Sequence, residues 1–237
     1  NNASFFLGLS QVVENELKQY FPSRKIYRSE LPVYDCYDMH QAFDPAKTLE
    51  ELGLTQNDKV LLFFGYVRKY KGLNVLIDAM PLILKQYPET KLLVVGEFYD
   101  DEQLYRKQVN DLNIKGSVVF VSRFVPNEEV EKFFAVCDVA VMPYLSATQS
   151  GVLNVAYGFL KPVIVTDVGG LTENFDDGKN GVIIKPGDAE AIANGVFKFY
   201  DLSKTVDFKT HIHQKVNNNE FNKLHEVFNE MLLTINS

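Results

Sequence analysis

Six short apolar runs, none carrying a charge beyond its first residue, punctuate the middle of the chain: KVLLFFG at Lys59–Gly65, KLLVVG at Lys91–Gly96, SVVFVS at Ser117–Ser122, DVAVMP at Asp138–Pro143, PVIVT at Pro162–Thr166 and GVII at Gly181–Ile184. A strand with one face in water alternates polar with apolar residues. These runs do not, which is the mark of strands covered on both faces. Between them, residues 72–87, 101–112, 127–135, 150–159 and 188–200 place apolar side chains three and four apart, the spacing of amphipathic helices. The repeated strand–helix unit predicts an α/β fold, a doubly wound parallel (Rossmann-like) sheet of about six strands with helices on both faces. Such sheets bind ligands at the carboxyl ends of their strands. The loops after Phe64, Val95, Val121, Met142 and Val165 are therefore the expected functional edge.

At 237 residues and 46% hydrophobic content, the chain can bury a full core. Its formal charge of −7 argues against a general affinity for nucleic acid or anionic membrane, whose phosphates need an excess of Lys and Arg. Any phosphate it binds must be held locally. Cys36 and Cys137 stand far apart in sequence, and Cys137 lies in the apolar run AVCDVAVMP, where a free thiol acts as a small hydrophobe. That usage fits a reducing cytoplasm. No stretch of about 18 apolar residues offers a membrane span, and FFLGL near the N-terminus lacks the basic flank and length of a signal peptide. A cytoplasmic location is expected.

The ends read differently from the middle. Residues 1–34 give a strand-like FFLGLS, a helix QVVENELKQYF and a second strand-like KIYRSEL, and a polar connector over 35–58 leads to the first core strand. Near the C-terminus an Asn-rich start precedes a helix with Phe221, Leu224, Val227, Phe228 and Met231 on one face. His211 and His213, two residues apart, would share a strand face, but no third ligand lies nearby and no metal is expected. Asp100 and Asp101 follow a strand and precede a helix, where acids cap and complement the dipole.

Two loops carry candidate chemistry. The first, GYVRKYKG from Gly65 to Gly72, lacks the glycine spacing of a dinucleotide fingerprint and offers Arg68, Lys69 and Lys71 instead. Cations at a strand mouth suit a diphosphate, although a solvated basic turn has the same composition. In the second, Ser146, Thr148, Gln149, Ser150 and Gly151 stand directly before the uncharged run VLNVAYGFL. The first backbone N–H groups of a helix lack internal partners and with the dipole form an anion site, while Thr148 or Ser150 could equally serve as an N-cap. No Ser-His-Asp spacing, nucleophile elbow or Walker lysine points to a covalent mechanism.

The order FFGYVRKYKGLNVLIDAM, KLLVVGE, VVFVSRFVPNEEVEKFFAVCDVAVMPY and TQSGVLNVAYGFLKPVIVTDVGGLTENFDDGKNG, over roughly residues 55–200, resembles the C-terminal, donor-binding half of the group 1 (family 4) retaining glycosyltransferases of the GT-B fold. The resemblance implies a nucleotide-sugar-binding domain over 59–237, with residues 1–34 as the end of an N-terminal acceptor domain and 35–58 as the connector. It implies UDP- or GDP-sugar as substrate, no metal or other cofactor, and a glycan or lipid-linked acceptor of cell-surface polysaccharide synthesis. It leaves room for peripheral membrane association of a longer protein. The fragment alone is expected to transfer no sugar.

Carried over singly, Lys71 matches the diphosphate lysine, and Arg68 stands in for the arginine whose usual place after Gly65 is taken by Tyr66. The TQSG loop, Thr148, Gln149, Ser150 and Gly151, sits where backbone amides meet the phosphates. Glu97, Arg123, Val125, Asn154 and Gly169 fall near the nucleoside and sugar. The resemblance names no catalytic residue here. Two glutamates that the family places with seven residues between them fall on Ala147 and Val155. Gln149 and Asn154 could supply neutral hydrogen bonds instead. A non-catalytic nucleotide-binding or partner module of the same fold is therefore the alternative.

Overall fold

The computed structural model describes residues 3, 5–29, 44–173, 175–218 and 222–235. In chain order the elements are β1 (Phe5–Gly8), α1 (Gln11–Tyr20), β2 (Lys25–Arg28), α2 (Pro45–Glu51), β3 (Lys59–Phe64), α3 (Leu73–Gln86), β4 (Thr90–Val95), α4 (Glu102–Asp111), β5 (Val118–Val121), α5 (Asn127–Val136), β6 (Val139–Met142), α6 (Gly151–Gly158), β7 (Val163–Thr166), β8 (Gly181–Ile184), α7 (Ala189–Leu202), α8 (Phe208–Asn218) and α9 (Asn222–Ile235). The main sheet has six parallel strands in the order β5-β4-β3-β6-β7-β8. The doubly wound Rossmann-like sheet is the one the apolar runs call for. Leu61 and Leu62 point to opposite faces of β3 and both are fully buried, as are Leu92 and Leu93 on β4. That burial from two sides is why the runs carry no polar alternation.

The strand order fixes where a ligand can enter. From β3 the chain winds outward to β4 and β5, then returns to place β6 on the other side of β3 and winds outward again through β7 to β8. The connections leaving β3 and β6 diverge, so a crevice opens between their carboxyl ends, as at the switch point of other open α/β sheets.

Outside this sheet, β1 and β2 form a parallel pair around α1, with Phe6 stacked on Phe21 at 4.5 Å between ring centroids. Ser10 caps α1 by accepting from the Val13 amide at 3.2 Å. The Glu173 carboxylate, from the loop after β7, accepts from the Gln11 and Val12 amides at 2.7 and 3.0 Å. The far end of the chain meets the same unit, Lys25 pairing with Glu230 of α9 at 3.1 Å.

Several expectations change. The described part of the 35–58 connector holds α2, started by the Asp44 cap and Pro45 and packed against α5. His211 and His213 lie on α8, not on a strand, where a two-residue step turns them roughly 200° apart. Phe208 and Ile212, one helical turn apart and buried, are the pair that orders α8. On α9 Met231 is buried and Leu224 and Val227 are partly so, whereas Phe228 is 46% exposed; Phe221 lies outside the described residues. Cys36 also lies outside them. Cys137 is a buried free thiol that burial pushes up to about 12. Among the described residues no helix is long and apolar enough to cross a membrane, and no cluster of His, Cys, Asp and Glu is arranged to hold a metal ion.

Candidate functional site

A cavity of about 440 Å³ opens at the crevice, lined from the loops after β3, β4, β5 and β6. Its walls are close approaches of backbone. Gly65 and Gly96 have φ of +92° and +144°, and a Cβ on Gly96 would lie 2.2 Å from the Gly65 carbonyl oxygen. Only a residue without a side chain adopts that conformation at that distance. Beyond β3 and β4 the two loops continue side by side through the Val67–Phe98 bridge.

Lys71 ends a 3-10 turn over Lys69–Lys71 and is 7% exposed, yet no hydrogen bond or ion pair holds its ammonium among the described residues. Its Nζ lies 5.7 Å from the centre of the Tyr144 ring. Burial, and second the charge of Arg68, pull its pKa down to about 8. A buried cation without a counterion is costly and is a mark of a site that receives an anion.

Opposite it stands the N-terminus of α6. Ser150 occupies the N-cap position but makes no capping bond. Its hydroxyl is instead engaged with the Tyr144 hydroxyl at 3.3 Å and the Met142 sulfur at 3.8 Å. The capping alternative is thereby not used. The first residues of α6, at the positive end of its dipole, line the same cavity as the lysine. The loop bearing them is wedged between two glycines. A Cβ on Gly72 (φ +70°) would lie 2.0 Å from the Pro143 carbonyl oxygen, and one on Gly169 (φ +51°) 1.7 Å from that of Ala147.

Of the residues singled out in the sequence, Gly65, Lys71, Glu97, Val125, Gln149, Ser150 and Gly151 meet in this cavity. Arg68 stands outside its lining, exposed, with its guanidinium 4.5 Å over the Tyr99 ring. Arg123 is turned away from it by Glu129, which takes Nη2 at 2.5 Å and Nη1 at 3.2 Å. Thr148 is exposed, Asn154 is buried on α6 off the lining, and Gly169 supports the loop from behind. Val155 lines the wall, whereas Ala147 meets Gly169 through its carbonyl. Asp101 caps α4 through the Gln103 amide, and Asp100 accepts from the Tyr105 hydroxyl. Sequence reasoning missed the aromatic wall, Tyr66, Tyr70 and Tyr144. Tyr144 stands two residues past the end of β6, and that position at the carboxyl edge of the sheet was the available signal.

The pattern of the family described as glycosyl transferases group 1 matches residues 58–201. The chain belongs to the group 1 glycosyltransferases. An uncharacterized glycosyltransferase of Methanocaldococcus jannaschii is 32% identical to this group 1 chain over 146 residues, covering 61% of it and 36% of that protein. The GDP-mannose-dependent alpha-(1-6)-phosphatidylinositol monomannoside mannosyltransferase of Mycolicibacterium smegmatis is 31% identical over 167 residues, 64% of this chain and 41% of its own. The chain thus spans well under half the length of these relatives. In three dimensions it superposes on HepE of Anabaena, solved in complex with UDP-glucose, with a TM-score of 0.79 at 21% identity over 99% of this chain and 64% of that one. At that identity the likeness shows the fold alone.

Proposed function

We propose that this chain binds the nucleoside diphosphate of an activated sugar for a retaining glycosyltransferase, and that the sugar passes to a glycan or lipid-linked acceptor held by a second domain. The observation that carries the reading is the unpartnered, buried Lys71 sharing the switch-point cavity with the uncapped start of α6. One supplies a full charge and the other aligned amides, and together they match the two charges of a diphosphate. The UDP-glucose complex of HepE and the GDP-mannose dependence of the mycobacterial relative support a nucleotide sugar as the donor class. A cytoplasmic setting agrees with the free thiol of Cys137. Titration calorimetry with UDP, GDP and ADP tests the reading. Saturable 1:1 binding of at least one is expected, and no binding of any would refute it.

Val155, an apolar side chain in the wall at a position where the resemblance implies an acid, favours a second reading, a nucleotide-binding module that transfers nothing. Gln149 tests whether the cavity holds a sugar beyond the diphosphate. Its side chain lines the cavity beside the phosphate amides, in reach of groups beyond the diphosphate. Gln149→Ala is expected to leave the affinity for the free diphosphate unchanged and to weaken the corresponding nucleotide sugar by roughly threefold to tenfold, the worth of a neutral hydrogen bond. Equal losses for both ligands would show that Gln149 does not read the sugar.

A further inference from the structure

A single acidic side chain stands among the described residues that line the cavity, Glu97. It has a fixed place. Gly96 brings the chain against the Gly65 carbonyl, the Val67 amide donates to the Glu97 carbonyl at 2.8 Å, and the Tyr99 amide donates back to the Val67 carbonyl at 3.0 Å. The carboxylate itself forms no hydrogen bond or ion pair among the described residues. Neither Lys71 nor Arg68 neutralises it.

The strand order β5-β4-β3-β6 sets out three chemistries in a row. After β3 and β6 come Lys71 and the α6 amides, after β4 comes Glu97, and after β5 come Phe124 and Val125. Neighbouring strands lie about 4.8 Å apart, so the row from β3 to β5 spans roughly 10 Å. An anion-binding end, then a carboxylate, then an apolar surface is the order of diphosphate, ribose and base along a nucleoside diphosphate. A carboxylate has two oxygens that accept from two vicinal hydroxyls at once, and charge strengthens each bond. We infer that Glu97 accepts hydrogen bonds from the 2′ and 3′ hydroxyls of the donor's ribose and selects ribonucleotides over 2′-deoxyribonucleotides. The inference rests on the nucleotide-binding reading above.

The test is calorimetry on the whole chain with UDP, GDP or ADP, whichever binds, against its 2′-deoxy counterpart, for wild type, Glu97→Gln and Glu97→Ala. Wild type is expected to prefer the ribonucleotide by about tenfold, in line with a hydrogen bond to a charged group. Both variants are expected to lose that preference, weakening the ribonucleotide by the larger factor, since the 2′-deoxy ligand has only its 3′ hydroxyl bond to lose. Glu97 is exposed, so both variants should melt with the wild type. Three results would overturn the assignment: a preference that survives in Glu97→Ala, a wild type that binds both sugars alike, or a variant that weakens both ligands equally. A magnesium requirement that disappears with Glu97 would assign the carboxylate to a cation instead. If wild type binds none of the three diphosphates, the donor reading itself fails and this inference falls with it.

Discussion

Gly169→Ala is expected to abolish nucleotide binding and to lower stability by about 2–4 kcal/mol, the sum of left-handed backbone strain and overpacking. The added methyl would sit 1.7 Å from the Ala147 carbonyl oxygen, an overlap that only backbone movement relieves. The backbone that must move is the loop leading into Gln149, Ser150 and Gly151, which line the cavity with Lys71. A matched control separates strain from displacement. Gly53 also has a left-handed φ, +67°, but a Cβ there meets nothing within 4 Å. Gly53→Ala should cost only the backbone term, about 1 kcal/mol, and leave nucleotide affinity intact. Urea unfolding and calorimetry on both variants decide the matter. If Gly169→Ala binds nucleotide as well as Gly53→Ala does, the glycine does not fix the loop.

That contact also shows what can and cannot be read from a sequence. The strands were legible because β3 and β4 bury both faces, and double burial leaves an uncharged run as its local trace. α6 was legible for the same reason, since Asn154, Val155, Ala156 and Tyr157 are all buried and the helix carries no charge. α8 was not. Its only buried apolar pair among the described residues is Phe208 and Ile212, and two histidines at an even spacing suggested a strand more strongly than one apolar pair suggested a helix. That Gly65 lines the cavity follows from its place at a strand end, because topology brings those ends together. Charged side chains do not follow in that way. Arg123 sits at the correct edge, yet Glu129, six residues on, reaches back from α5 and occupies it. Whether an arginine is free or paired is settled by the rotamer and the helix geometry of its neighbours, which spacing alone does not encode.

The second large effect is expected at Lys71, where stability and binding should answer to pH with opposite signs. In the folded chain burial and Arg68 hold the lysine near 8, against 10.5 for an ordinary lysine. The unfolded chain therefore binds this proton more tightly. Between these two values stability should rise with pH, since the cost of burying the ammonium is fully present below about 8 and is relieved as the proton leaves. Binding a diphosphate needs that proton. Affinity should therefore fall as pH climbs through 8, with proton uptake accompanying binding on the alkaline side. Lys71→Met keeps much of the buried volume and removes the charge. It should weaken UDP or GDP binding by about tenfold to a hundredfold, the range for a hydrogen bond to a charged group. It should also raise stability at pH 7 by on the order of 1–3 kcal/mol and flatten both pH profiles. A gain in stability beside a loss of affinity would identify a cation that the fold carries for its ligand, not for itself. Unchanged affinity and an unchanged slope in Lys71→Met would place the diphosphate elsewhere.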